Sequence, residues 1–230
     1  YLMQNVFQFL ILSFGKHYRI SIMKKRKTNS NPPTNHIIKE GHLLLVISGP
    51  SGVGKDAIVN RLKSVNSSIT TIVTATTRKR RPYEEQGQHY IFLQESAFLE
   101  KVQNNEFLEW AQVYQHKYGV LLQEVKEGFE RSDVIVIKTD IQGATTIKEK
   151  LPQSVLIFLK PTSFGDLESH LVKRETESKV NIAQRLSEAK KELEKSLIFD
   201  YQIENQEGKL NSTLTQLEAI ITIEKNKSQY

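Results

Sequence analysis

The chain has 230 residues, enough for one domain with a sizeable core, and no cysteine, which excludes disulfides and thiolate metal sites and suits a reducing interior. Its formal net charge of +6 would point to a polyanionic partner, but the charge is local. Residues 1–39 hold seven Lys/Arg and no Asp or Glu, which leaves 25 basic against 26 acidic groups over residues 40–230 and predicts no nucleic-acid partner.

In the leader, Val6 to Phe14 is apolar but far too short to span a bilayer, so no membrane association is expected. No basic stretch precedes it as in a secretory signal. The expected location is the cytoplasm, with organellar targeting by the basic, acid-free residues 1–40 as the alternative. Met23, followed by Lys24-Lys-Arg-Lys27, reads as a translation start, and the polar stretch 24–41 with Pro32-Pro33 as a flexible lead-in. Residues 1–40 are therefore placed outside the fold, as a disordered or non-native extension.

The organising stretch follows. Leu43 to Ser48 reads as a buried strand, Gly49-Pro-Ser-Gly-Val-Gly-Lys55 as a glycine-rich turn, and Asp56 onward as a helix with Ala57, Ile58, Val59 and Leu62 on one face. Strand, glycine turn and helix is the setting of a phosphate-binding loop. Gly49, Gly52 and Gly54 let the loop's amides point at phosphate oxygens, the helix start adds partial positive charge, and Lys55 adds a full cation. The loop residues Gly49, Pro50, Ser51, Gly52, Val53, Gly54 and Lys55 are thus candidate ATP contacts. Asp56 stands where a Mg²⁺-binding Ser or Thr is usual, and we expect it to replace that hydroxyl as a metal ligand.

Thr70 to Thr77 reads as one β-rich run ending in Arg78-Lys-Arg-Arg-Pro82. A loop to Gln88, a strand His89 to Leu93, a helix Glu95 to Asn105 and a strand Glu106 to Tyr114 come next. Val120 to Arg131 is predicted helical, Asp133 to Ile137 a second buried strand with Asp140 just past its end, and Gln142 to Lys150 a helix. Ser154 to Leu159 is a third buried strand. Residues 163–174 and 179–199 read as charged helices, the second with a stripe of Ile182, Leu186, Ala189, Leu193 and Leu197. A short strand Tyr201 to Asn205 and a helix Ser212 to Lys225 close the chain. Buried strands alternating with helices predict an α/β fold: a parallel sheet flanked by helices, with a small mixed lobe inserted and ligands at the carboxyl ends of the strands.

Several motifs in order strengthen this reading: the loop 49–55, Thr76-Thr-Arg-Lys-Arg-Arg-Pro82 through Gly87 to Tyr90, Glu106-Phe-Leu-Glu-Trp-Ala111, Tyr118-Gly119 and Asp140-Ile-Gln-Gly143. Together the chain resembles the guanylate kinases, P-loop nucleoside monophosphate kinases that move the γ-phosphoryl of ATP onto GMP, from about residue 43 to about residue 226. The resemblance implies a guanylate kinase-like domain over 41–226: a core of 41–73, 132–162 and 188–226, a GMP-binding lobe of 74–131 and a helical lid of 163–187. It implies ATP and GMP or dGMP as substrates, Mg²⁺ as cofactor, and a monomer or homodimer.

By the same resemblance, Arg78 and Arg81 grip the GMP phosphate with Tyr90, a task that suits guanidinium forks. Lys79 and Arg80 read as a solvated turn. Glu109 reads the base, because a carboxylate can accept guanine N1–H and N2–H₂ together, whereas adenine lacks that donor pair. Thr74 and Tyr118 are further GMP contacts. Lys55, Arg174 and Arg185 are the catalytic cations, Asp140 a second Mg²⁺ ligand, and Asn205, with Asp200, lies near the adenine. Val120, Lys138 and His170 depart from the family pattern: Val120 stands for a base-facing hydroxyl, Lys138 for an acid, His170 for a lid arginine. The alternatives are a ribose 1,5-bisphosphate kinase, whose loop also carries Gly-Lys-Asp, and a non-catalytic interaction module of the same fold.

Overall fold

A computed structural model describes residues 37–113, 115–172 and 179–227. Its main sheet is parallel, with strand order β2-β7-β1-β8-β9: β1 (Leu43–Ser48), β2 (Ile69–Thr71), β7 (Val134–Lys138), β8 (Val155–Lys160) and β9 (Tyr201–Glu204). β1 is the central strand, in register with β7 at Leu45↔Val136 and with β8 at Leu45↔Val155.

Side chains alternate across a strand, so β1 feeds two cores. Leu43, Leu45 and Ile47 pack with Ile58 and Leu62 of α1 (Lys55–Val65) and with Leu214 and Leu217 of α7 (Leu210–Lys227). Leu44 and Val46 pack on the other face with Val125 and Phe129 of α3 (Leu122–Arg131) and with Ala144 and Ile147 of α4 (Ile141–Lys150). A strand covered on both faces has no polar side to show, which is why β1 reads as an unbroken apolar run. Ile37 is buried in this second core, so packing begins ahead of residue 41.

A smaller sheet has the order β4-β3-β6-β5. It comprises β3 (Ala75–Thr76), β4 (Ile91–Phe92), β5 (Phe107–Val113) and β6 (His116–Leu121), with α2 (Glu95–Gln103) between β4 and β5 in sequence. Its own core joins Ala75, Phe98, Phe107 and Leu121, with Phe98 stacked on Phe107 at 4.5 Å. Gly119 lies so close to this cluster that a Cβ there would sit 2.7 Å from the Phe107 ring and 2.8 Å from the Trp110 Cβ.

Three expectations are corrected. The run Thr70 to Thr77 is two strands in different sheets: Ile72 still donates to the Val136 carbonyl (2.9 Å), and the chain then leaves for β3. Val120 and Leu121 end β6 rather than begin a helix, because both are buried in the strand pairing and α3 starts at Leu122. Leu197 is 84% exposed. It falls in a 3₁₀ turn (Lys195–Ile198) beyond the end of α6 (Lys179–Glu194), where the 3.6-residue repeat that aligns Leu186, Ala189 and Leu193 no longer holds. A further helix, α5 (Phe164–Val172), precedes α6.

Candidate phosphotransfer site

The loop between β1 and α1 has the backbone its sequence demands. Gly49, Gly52 and Gly54 have φ of 147°, 90° and 94°, a region that L side chains rarely adopt. At Gly49 a Cβ would also collide with the Leu159 carbonyl of β8. Lys55 folds back over the loop and donates to the carbonyls of Gly49 and Pro50, the latter at 3.0 Å. Burial lowers its ammonium to about 8, against the opposing charges of Glu192 and Asp56. Such a lysine gains by meeting an anion, which would return its charge to favour.

Ser51, Gly52, Gly54, Lys55, Asp56, Tyr90 and Lys138 line a cavity of about 160 Å³. Pockets that enclose whole small ligands measure roughly 300–1,000 Å³, so this volume suits phosphate groups with the rest of a nucleotide reaching outward. A larger hollow of about 690 Å³ lies at the other end of the sheet, beside Ile69 and Val134 at the starts of β2 and β7. Ligands of open parallel sheets bind at the carboxyl ends, and the smaller cavity has that position.

Asp56 is not idle beside Lys55. Its carboxylate pairs with the ammonium of Lys138, the last residue of β7. Lys138 also lies 5.4 Å from the centroid of the Tyr90 ring. Burial alone would lower the Lys138 ammonium, but Tyr90 and Asp56 together outweigh it and hold the pKa above its ordinary value.

Arg78 approaches the same ring, with its guanidinium carbon 5.3 Å from the Tyr90 centroid and 5.7 Å from that of Phe92. Its fork is taken by Glu84, at 3.0 and 2.6 Å. Glu84 is buried and also accepts from the Arg81 amide (2.8 Å), so one carboxylate braces the whole arginine loop. The sequence reading missed Glu84; its signal was an acid following two arginines across Pro82. The Arg81 side chain donates to the Tyr83 hydroxyl instead (3.0 Å). Tyr118 meets Tyr90 edge-on at 6.1 Å, and Thr74, nearly buried, accepts the Ile91 amide at its carbonyl.

Glu109 is 3% exposed. The β5–β6 register shifts between Phe107 and Glu109, so Leu108 and Glu109 are both buried although they are adjacent. The carboxylate accepts from the Thr139 hydroxyl (3.2 Å). It also packs on α4 at Gly143, where a Cβ would collide with Thr139 and come within 3.0 Å of Glu109. Burial first, then the charge of Asp140, raise the Glu109 carboxyl to about 7, with the Thr139 hydrogen bond and Lys150 pulling the other way. Thr139 and Gly143 are thus supports of Glu109 that periodicity could not reveal. Val120, opposite Glu109 in the β5–β6 pairing, is fully buried in the second core.

Asp140 caps α4 by accepting the Gly143 amide at 2.8 Å. On α6, Glu192 reaches the same region. Burial raises its carboxyl to about 7 against the pull of Lys55, and one of its oxygens has no hydrogen-bond partner among the described residues. Nothing in the sequence separates it from the other acids of that helix.

Asn205 braces the loop. Its amide donates to the Val53 carbonyl (2.7 Å) and its oxygen accepts from Thr213 (2.8 Å), which commits both ends to the loop's support. Asp200 departs from its expected place: it accepts the Leu156 amide (2.8 Å) and the Lys148 ammonium (3.0 Å) at the amino end of β8, the end of the sheet away from the loop. Arg174 and the side chains of Arg185 and His170 lie outside the described residues.

No group of three or more metal-ligating side chains occurs among the described residues. Asp56 in the cavity lining and Asp140, near enough for its charge to act on Lys55, are nonetheless hard oxygen donors, which fits a Mg²⁺ ion that arrives on a nucleotide and takes most of its ligands from phosphate and water.

The family model for guanylate kinase matches residues 42–224. The chain belongs to the guanylate kinase family. This family of nucleoside monophosphate kinases is one of phosphotransferases, and its relatives agree along the chain. A guanylate kinase of Clostridioides difficile is 40% identical over 190 residues, covering 83% of this chain and 91% of that one. A guanylate kinase 2, chloroplastic/mitochondrial, of rice is 39% identical over 186 residues, covering 80% of this chain; the chain spans 65% of that relative's length. The crystal structure of guanylate kinase from Anaplasma phagocytophilum superposes with a TM-score of 0.66 at 26% identity, covering 81% of this chain and 88% of that one. The α/β fold and the parallel core are therefore those of the family. Among the described residues no helix is long and apolar enough to cross a membrane.

Proposed function

We propose that the protein transfers the γ-phosphoryl group of ATP to GMP or dGMP, giving ADP and GDP or dGDP. The observation that carries this is the approach of two different recognition elements to one cavity. The phosphate loop with Lys55 and the Tyr90 ring, on which Arg78 packs, both line that cavity, and the small sheet that carries Tyr118 beside Tyr90 also carries the buried Glu109. Such transfer needs little covalent help from the protein; it needs two phosphates in line, water kept out, and cations around the migrating group.

Each side chain then has a task. The loop amides and Lys55 hold the β- and γ-phosphates, and Asn205 supports that loop through Val53. Arg78, Arg81 and Tyr90 hold the GMP phosphate, with Tyr118 and Thr74 beside them. Glu109, when ionised, accepts both guanine donors. Arg174 and Arg185 bring further charge from the lid over 163–187 as it closes, a role supported by their places in the family motif. Asp140 and Asp56 would hold Mg²⁺ on the protein side, and the bound ion would supply positive charge to the ATP phosphates. Within the lobe over 74–131 the small sheet closes on GMP, while α3 stays packed on the main sheet. We place the protein in the cytoplasm as a monomer or homodimer, supported by a cysteine-free chain that needs no oxidising compartment.

A coupled assay offering GMP, dGMP, AMP, UMP and ribose 1,5-bisphosphate with MgATP tests the reading. Turnover of GMP and dGMP alone is expected. Turnover of ribose bisphosphate alone, or none with any acceptor, would overturn it.

A further inference from the structure

Two oppositely charged side chains, 82 positions apart in sequence, meet at the mouth of the phosphate cavity: Asp56 at the start of α1 and Lys138 at the end of β7. The Asp56 side chain is 63% exposed and that of Lys138 23%. Pairs this open to water add only about 0–1 kcal/mol to stability, so holding the fold together is not what the pair is for. It also loses little when an anion takes the place of Asp56.

What sets Lys138 apart is the ring it rests on. Tyr90 carries two cations, the Lys138 ammonium at 5.4 Å and the Arg78 guanidinium at 5.3 Å from its centroid. Each has a carboxylate from its own chain, but the two partners differ. Glu84 holds Arg78 in a buried, two-pronged grip, with side-chain exposures of 15% and 5%. Asp56 holds Lys138 from the solvent side. The cation ready to change partner is therefore Lys138, and it stands where the loop side and the Tyr90 side of the cavity join.

We propose that Lys138 is a phosphate-binding residue that spans both halves of the site, exchanging Asp56, its counter-ion in this structure, for oxygens of the acceptor's phosphate and of the phosphoryl group in transfer. The proposal rests on the GMP-phosphorylating reading above. In the transfer, the bond from the β–γ bridging oxygen of ATP to the γ-phosphorus breaks, and a bond from an α-phosphate oxygen of GMP to that phosphorus forms. Lys138 keeps its proton throughout and contributes charge where these oxygens crowd together.

The test compares GMP with guanosine, which lacks the phosphate. Both are titrated calorimetrically into the full chain without ATP or Mg²⁺, using wild type, Lys138→Met, Lys138→Gln, Lys138→Arg and Asp56→Asn. A charge-assisted phosphate contact predicts that Lys138→Met and Lys138→Gln weaken GMP roughly tenfold or more while guanosine affinity, the control for an intact fold, stays put. Lys138→Arg should retain most of the GMP preference. Asp56→Asn should tighten GMP, because a competing carboxylate is gone. An unchanged GMP-to-guanosine ratio in both neutral variants, in a protein whose wild type phosphorylates GMP, would overturn this inference alone. A wild type that does not phosphorylate GMP would instead overturn the functional reading.

Discussion

Replacing Glu109 by Gln removes a carboxyl group that folding buries at a cost. The side chain is 3% exposed and its carboxyl rises from 4.5 to about 7 on folding, through burial and the nearby charge of Asp140. At 1.36 kcal/mol for each pH unit, that difference is worth about 3 kcal/mol. Because the folded-state value exceeds the unfolded one, the contribution of Glu109 to stability is complete below about pH 4.5 and is lost as pH rises through about 7. Glu109→Gln cannot ionise, and its amide can keep a hydrogen bond with Thr139. The variant should therefore match wild type near pH 4.5 and exceed it by up to about 3 kcal/mol at pH 8. For a chain of this size that is a rise in melting temperature of roughly 6–12 °C. Thermal or urea unfolding of the nucleotide-free protein at pH 4.5 and pH 8 reads this directly. The same variant should lose GMP binding, since a Gln amide turns an N–H₂ toward guanine donors, and wild-type GMP affinity should fall as pH drops below about 7. A variant no more stable than wild type at pH 8, or equally stabilised at both pH values, would refute the reasoning.

Gly143→Ala should displace Glu109 and Thr139, because its Cβ would meet both; GMP affinity should fall at least tenfold while ATP affinity, measured separately by calorimetry, holds. Asn205→Ala strands the Val53 carbonyl and the Thr213 hydroxyl, so it should cost about 1–3 kcal/mol in urea unfolding and raise the KM for ATP without changing that for GMP. Asp200→Ala should cost about 1–2 kcal/mol through the unpaired Leu156 amide and leave both KM values unchanged; a selective rise in KM for ATP would restore Asp200 to the adenine site.

The strands β1, β7 and β8 and the loop after β1 were legible in sequence because each depends on local chemistry: unbroken apolar runs for strands buried on both faces, and glycines where φ is positive. Lys55 could be singled out from its glycine loop, and Arg78, Tyr90 and Glu109 from the resemblance of their motifs to those of the guanylate kinases. The division of Thr70 to Thr77 between two sheets was not legible, since both halves are equally β-prone and only the partners Val136 and Tyr118 separate them. Nor were the pairings that decide how the site works. Glu84 bracing Arg78, Thr139 and Gly143 supporting Glu109, and Asn205 holding Val53 are contacts between residues whose types leave many partners open. Sequence alone made Asp56 an odd residue after the loop lysine and Lys138 an odd residue at a strand end. The folded chain joins them as an ion pair, because sheet order sets the end of β7 beside the start of α1, and that adjacency is a property of the tertiary structure.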